Sequence, residues 1–262
     1  MKSFRITPIG YLLIVLLAAC DTEDRPFDED TGNISSTVGS ALISWGPAAG
    51  ALRHELGKPL NTIEPELTDE ELATVTRLRL GRQTSPGTLD DYDIALLLRC
   101  INLKELYLDG MFIEAEHLRW LAVLPALESL GLSQTHLRDL TPLADFVNLR
   151  HLDLRVNQIS DIGPLAGLTN LRVLDLESNE IADITPLSGL IRLQALNLNR
   201  NRIVDLKPLV DNPGLTNAVP AYRVGFFERL PDVVSVWDNP LSEVSRTEHI
   251  PALRARGVIV CQ

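Results

Sequence analysis

The side chains best able to do chemistry are three cysteines, five histidines and a set of carboxylates that recur at a fixed interval. Cys20, Cys100 and Cys261 are odd in number and contain no Cys-x-x-Cys pair, so they form neither a disulfide framework nor a metal knuckle. The histidines, His54, His117, His136, His151 and His249, have no His-Glu-x-x-His or other ligand spacing. Gly-x-Ser-x-Gly, the phosphate-cradling P-loop and the dinucleotide glycine pattern are all missing from the sequence. No catalytic residue, metal ligand or cofactor is expected, and the chain reads as a non-enzyme. Among the carboxylates, Asp153 and Asp175 stand 22 residues apart at equivalent places of a repeat, with Arg155 beside them as a compensating cation.

Cys20 has a setting of its own. Lys2 and Arg5 precede an apolar run of 11 residues, Ile9 to Ala19. Crossing a bilayer takes ~20 residues, so the run is too short to span one, but it has the length of a signal-peptide core. It ends in Leu17-Ala18-Ala19-Cys20 and resembles the lipobox of bacterial lipoproteins. That resemblance implies a cleaved signal over 1–19, a diacylglycerol on the Cys20 thiol and an acylated new N-terminus. Two or more acyl chains hold a protein firmly to a membrane, where one does so only marginally. The implied location is the bacterial cell envelope, lipid-anchored and facing the periplasm or the cell surface. Asp21 resembles the signal for retention in the inner membrane.

Residues 20–66 are expected to be the lipidated cysteine and an acidic tether. The stretch opens DTEDRPFDEDTGN and shows no apolar period, a composition that cannot bury enough surface to offset ordering entropy. Within it, residues 41–63 carry Trp45 and mixed apolar side chains, and both a small cap and a loose segment remain open.

From Leu127 the sequence repeats. Units beginning at Leu127, Leu149, Leu171 and Leu193 are each 22 residues long. All carry apolar residues at the first, fourth, sixth, eleventh, fourteenth and seventeenth places. The thirteenth place is Asp139, Asp161, Asp183 and Asp205, and the sixteenth is Pro142, Pro164, Pro186 and Pro208. Alternation over the third to seventh places predicts a short strand with the fourth and sixth residues inward and the third, fifth and seventh outward. Asn157, Asn179 and Asn201, at the ninth place, fall where the chain leaves the strand, and Thr135 replaces them in the first unit. An inward Asn there can satisfy backbone groups of its own turn and of the next unit. The Asp can cap a short turn, and the Pro, which needs no N–H partner, fixes the return bend as tight rather than helical.

This pattern resembles the leucine-rich repeat, LxxLxLxxN, and its 22-residue length with D-[IL]-x-P-L is similar to the internalin-type and phosphatase-regulator-type subclass. The resemblance implies an α/β solenoid: a right-handed horseshoe with short parallel strands on the concave face and tight turns or 3-10 segments on the convex face. The repeat domain with its helical caps is expected over 67–262, with regular repeats at about 101–212. The capping box Thr68-x-x-Glu71 predicts a helix over 69–75, and a further helix is expected at about 90–100. A worn last unit is expected at Val233 to Val236 with Asn239-Pro240-Leu241, then a helix, a stop at Gly257 and a closing strand Val258 to Val260. Residues 212–230 break the period and read as an insertion. Cys100, equivalent to Phe146, Leu168 and Leu190, is expected in the core, several coils from Cys261 and beyond disulfide reach.

Repeat proteins usually bind through the concave strand face. The outward residues there, Tyr107, Asp109, His151, Asp153, Arg155, Val173, Asp175, Glu177, Asn197 and Asn199, with Arg200 at an eighth place, form the expected footprint for a protein or peptide. The net charge of −11 and the missing basic stripe exclude nucleic acid. A monomer is expected. Two other readings stay open: a structural envelope lipoprotein without a specific partner, and an effector or enzyme whose activity lies in residues 21–66.

Overall fold

The computed structural model describes residues 47–58, 67–80, 88–216 and 234–262. Its centre is one parallel sheet of eight strands in sequence order: β1 (Arg77–Arg79), β2 (Glu105–Tyr107), β3 (Ser129–Gly131), β4 (His151–Asp153), β5 (Val173–Asp175), β6 (Ala195–Asn197), β7 (Val234–Ser235) and β8 (Val260–Cys261). Each regular coil contributes one three-residue strand at its third to fifth places, and the sixth- and eighth-place N–H groups continue the bonding to the fifth- and seventh-place carbonyls of the next coil. The register follows the repeat, with Leu106, Leu130, Leu152, Leu174 and Leu196 paired in line, and Val234 and Val260 continuing the row. Leu130, Leu152, Leu174 and Leu196 are all fully buried. At ~1.5–3 kcal/mol for each buried leucine, this spine and its sixth-place companions Leu132, Leu154, Leu176 and Leu198 are the main source of cohesion.

The return side is built as the proline places require. Asp139, Asp161, Asp183 and Asp205 each accept the backbone N–H two residues on, at 2.7–2.9 Å. The short 3-10 helices Thr141–Leu143, Gly163–Gly167 and Thr185–Gly189 follow, and in the fourth coil the wider α-helix Lys207–Asp211 takes their place.

Both ends are capped. The helix Pro47–Glu55 buries Ala48, Ala49 and Leu52, so this part of 41–63 is folded. It is tied to the helix Asp91–Arg99 by Asp93, which accepts the Ala48 N–H at 2.9 Å and completes a capping box with Asp90. The helix after Thr68 is shorter than expected, ending at Leu72 with Ala73 as its C-cap, and Val75 is buried on the way into β1. At the far end a π-helical turn, Ser245–His249, runs into the helix Ile250–Ala255, and Gly257 adopts a left-handed φ of 83°. The closing strand is Val260–Cys261, two residues later than expected, in register with Val234–Ser235. Cys100 is buried, and it is not joined to Cys261. Cys20, the tether at 21–38 and most of the 212–230 insertion lie outside the described residues, and no helix among those described is long and apolar enough to cross a membrane.

The period ends for a visible reason. Asn212 stands where earlier coils have Phe146, Leu168 and Leu190, and is fully buried. Its amide donates to the carbonyls of Leu187 (2.8 Å) and Leu190 (3.2 Å), and Arg256 of the C-terminal cap donates to the carbonyls of Asn212 and Val210.

Candidate protein-binding face

A ladder of amides holds the edge where the chain leaves each strand. Asn157, Asn179 and Asn201 are buried, and each donates to the sixth-place carbonyl of its own coil and of the coil before. Their side-chain oxygens accept N–H groups of the preceding coil: Leu137, Ile159 and Ile181, at 3.0–3.1 Å. The contact thus runs to the previous unit, the reverse of the expected direction. Asn239, expected in the worn last unit but not counted with the ladder, is a fourth rung, bonding Leu198, Val236 and Ile203 in the same way. The Asn239-Pro240-Leu241 string marks the unit, and the distance of Asn239 from the strand marks its place in it.

The strand face itself corrects part of the expected footprint. Tyr107, Asp109, Asp153, Val173, Asp175 and Asn197 point outward as the alternation requires, yet all are buried. Strands ~4.8 Å apart set short side chains shoulder to shoulder, and several of these groups are taken up in finishing the backbone. Asp153, Asp175 and Asn197, at the fifth place, each accept the N–H of the seventh-place residue of their own coil at 3.0–3.1 Å. Asp109 accepts both the N–H (3.1 Å) and the hydroxyl (2.9 Å) of Ser133. The Tyr107 ring lies against Gly131, where an added Cβ would come within 2.6 Å of the ring, and its hydroxyl donates to Glu105 at 3.2 Å. Arg77 forks onto Glu105 at 2.7 and 2.9 Å and holds that carboxyl below its ordinary range. His151 is half-buried with Nδ1 3.0 Å from the Ser129 hydroxyl, and its burial lowers the imidazole pKa.

Arg155 compensates the two neighbouring carboxylates as expected. Its guanidinium forks onto Asp153, with Nη2 at 2.6 Å, and Nε lies 3.6 Å from Asp175. Burial alone would lower the guanidinium pKa, but the carboxylates of Asp153 and Asp175 hold it above its ordinary value. Asp175 is pushed up to about 7, first by burial and then by the Asp153 charge. A low-dielectric setting with three charges and one cation short explains both directions.

What remains free lies along the seventh and eighth places, on the edge where the chain leaves the strands. Glu177 is half-buried, accepting from Asn197 at 3.2 Å and 3.7 Å from Arg200. Asn199 accepts the Ser235 hydroxyl and the Trp237 N–H, both at 2.7 Å. Gln134, Val156, Ser178, Arg200 and Asp238, the eighth-place residues, all have φ of 54–58°, so the edge is a row of left-handed corners that turn side chains outward. Val156 is 49 % exposed, Arg200 is exposed, and Trp237 is 61 % exposed. Trp237 is the seventh-place residue of the interrupted last unit, and the broken period concealed its place.

In-register parallel strands, an Asn ladder and proline-set returns define a leucine-rich repeat solenoid. A family model described as leucine rich repeats (two copies) matches residues 147–189. Among solved structures the chain is similar to internalin C2 of Listeria monocytogenes, at 28 % identity and a TM-score of 0.57, covering 78 % of this chain and 88 % of that one. It is also similar to an internalin (inlF) of the same organism, at 24 % identity and a TM-score of 0.46, covering 82 % of this chain and 74 % of that one. A search of curated proteins found no match. Solenoids of this class commonly bind other proteins on the strand face.

Proposed function

We propose that the chain is a membrane-anchored protein-binding module that presents the exit edge of its strand face to a protein or peptide partner. The observation that carries this reading is the row Val156, Arg200 and Trp237: three large exposed side chains, Arg200 3.7 Å from Glu177, on a backbone clamped by hydrogen bonds. Rigid, exposed aromatic and Arg side chains are the usual anchors of protein interfaces. The closed centre of the face leaves Arg155, Glu177, Asn199 and Arg200 from the expected footprint in contact range, and adds Trp237. The module acts as a monomer with no cofactor. Attachment runs through a lipid on Cys20, supported by the Leu17-Ala18-Ala19-Cys20 string behind its apolar run, and places the module in the bacterial envelope, facing the periplasm or cell surface.

Two measurements test this. Full-length chain expressed with labelled fatty acid should take up label, and Cys20→Ser should not; equal labelling of both would remove the anchor. Affinity capture from envelope extract should recover a partner with the wild-type chain and lose it with Val156→Ser/Arg200→Ala/Trp237→Ala. Undiminished capture by that variant would move the interface elsewhere.

A further inference from the structure

We propose that Trp237 and the adjoining Asp238 receive a basic side chain of the partner, and that the partner segment runs from there along the edge toward Val156. This rests on the protein-binding reading above and adds the partner's chemistry.

Three observations lead to it. First, Trp237 is free while its base is fixed. Its N–H donates to Asn199 Oδ1 at 2.7 Å, its carbonyl accepts from the Arg200 N–H at 2.8 Å and from Asn239 Nδ2 at 3.3 Å, and Asp238 turns away with φ 58°. Little further ordering is needed for the indole to bind. Among the described residues no cation or ring stacks on it; the one cation–π pair is Arg79 on Tyr107, and the ring pairs are Phe112–His136 and His117–Trp120. An indole face attracts an ammonium or guanidinium.

Second, the charge of the edge is unbalanced. Counted with the buried Asp153 that Arg155 pairs on the face behind it, Asp153, Glu177 and Asp238 are three carboxylates against the guanidiniums of Arg155 and Arg200, even with Asp175 set aside. Arg155 and Arg200 are already engaged with Asp153 and Glu177, whereas Asp238 is exposed beside Trp237. A basic partner residue is the complement.

Third, the row has a length. From β4, which leads to Val156, to β7, which leads to Trp237, there are three strand steps. These make about 14 Å at ~4.8 Å each, or about four residues of extended peptide at ~3.3 Å each. The recognised unit is therefore an apolar residue and a Lys or Arg about four places apart.

The test uses the full-length chain in detergent and dense surfaces of two immobilised pentapeptides, Val-Ala-Ser-Ala-Lys and its reverse, with Glu replacing Lys as the control. The Lys surface should retain the chain, and the Glu surface should retain roughly tenfold less. Trp237→Ala should lose a similar factor, Asp238→Asn a smaller one, and Trp237→Phe should keep part of the binding, with circular dichroism unchanged in all three. Equal retention on Lys and Glu surfaces, no retention on either, or indifference to Trp237→Ala would overturn the proposal. If that happens while Val156→Ser/Arg200→Ala/Trp237→Ala still loses its envelope partner, only the basic chemistry falls; if capture survives too, the edge itself is not the interface.

Discussion

Asn179 reaches out of its own coil to accept the Ile159 backbone N–H at 3.1 Å, while its amide donates to Leu154 and Leu176. One side chain thus satisfies three buried backbone groups belonging to two coils, and the same arrangement recurs at Asn157, Asn201 and Asn239. The strands are only three residues long, so these amides do much of the work of fastening one coil to the next.

Asn179→Leu should therefore be severe. It leaves the buried Ile159 N–H unpaired, worth ~1–3 kcal/mol of desolvation, and takes one of two amide donors from each of the Leu154 and Leu176 carbonyls, which keep Asn157 and Asn201, so a loss of about 1–3 kcal/mol is expected. Urea unfolding monitored by circular dichroism reads it directly. A loss below about 1 kcal/mol would show that the ladder is not what joins the coils.

The Asp153–Arg155–Asp175 cluster gives stability an unusual pH dependence. Asp175 has its pKa pushed from an ordinary 3.8 to about 7 in the folded chain. Between those values the folded state holds more protons than the unfolded one, so this residue's contribution falls as pH climbs, and its cost is full above pH 7. Asp175→Asn keeps an oxygen to accept the Glu177 N–H and removes the charge. Its gain in urea midpoint over wild type should be larger at pH 8 than at pH 5; a gain that shrinks with rising pH would contradict this account.

Val156 carries a conflict between fold and exposure. It is the one β-branched residue with positive φ among those described, at 54°, and its side chain faces water. Left-handed backbone costs a β-branched residue on the order of 1 kcal/mol or more. Val156→Asn should raise thermal stability by about that amount and weaken partner capture. A fall in melting temperature would show that Val156 packs against more than its exposure indicates.

Much of this architecture was legible before any coordinates. Leucine, asparagine, aspartate and proline places follow from the 22-residue period because each answers a backbone need that recurs in every coil. Shading between neighbours was not legible. Alternation tells that Asp153 and Asp175 point outward, but not that adjacent strands and the guanidinium of Arg155 leave them little room. Across the interruption the period gave a worn last unit but not the role of each place in it. Trp237 and Asn239 occupy ordinary seventh and ninth places of the worn last unit, but with 212–230 breaking the 22-residue count neither was assigned its place. Asn212, a polar residue at an apolar place, marks where that count stops.

Photo-crosslinking in intact cells tests the central claim most directly. Benzoylphenylalanine would be placed singly at Val156, Arg200 and Trp237 on the exit edge. A second set would be placed at Ile101, Val147 and Ile191, which are equally exposed but sit two places ahead of the leucine that opens each coil. Adducts to one partner from the first set and none from the second are predicted. Adducts confined to the second set, or none from the first, would contradict the assignment of this edge as the binding surface.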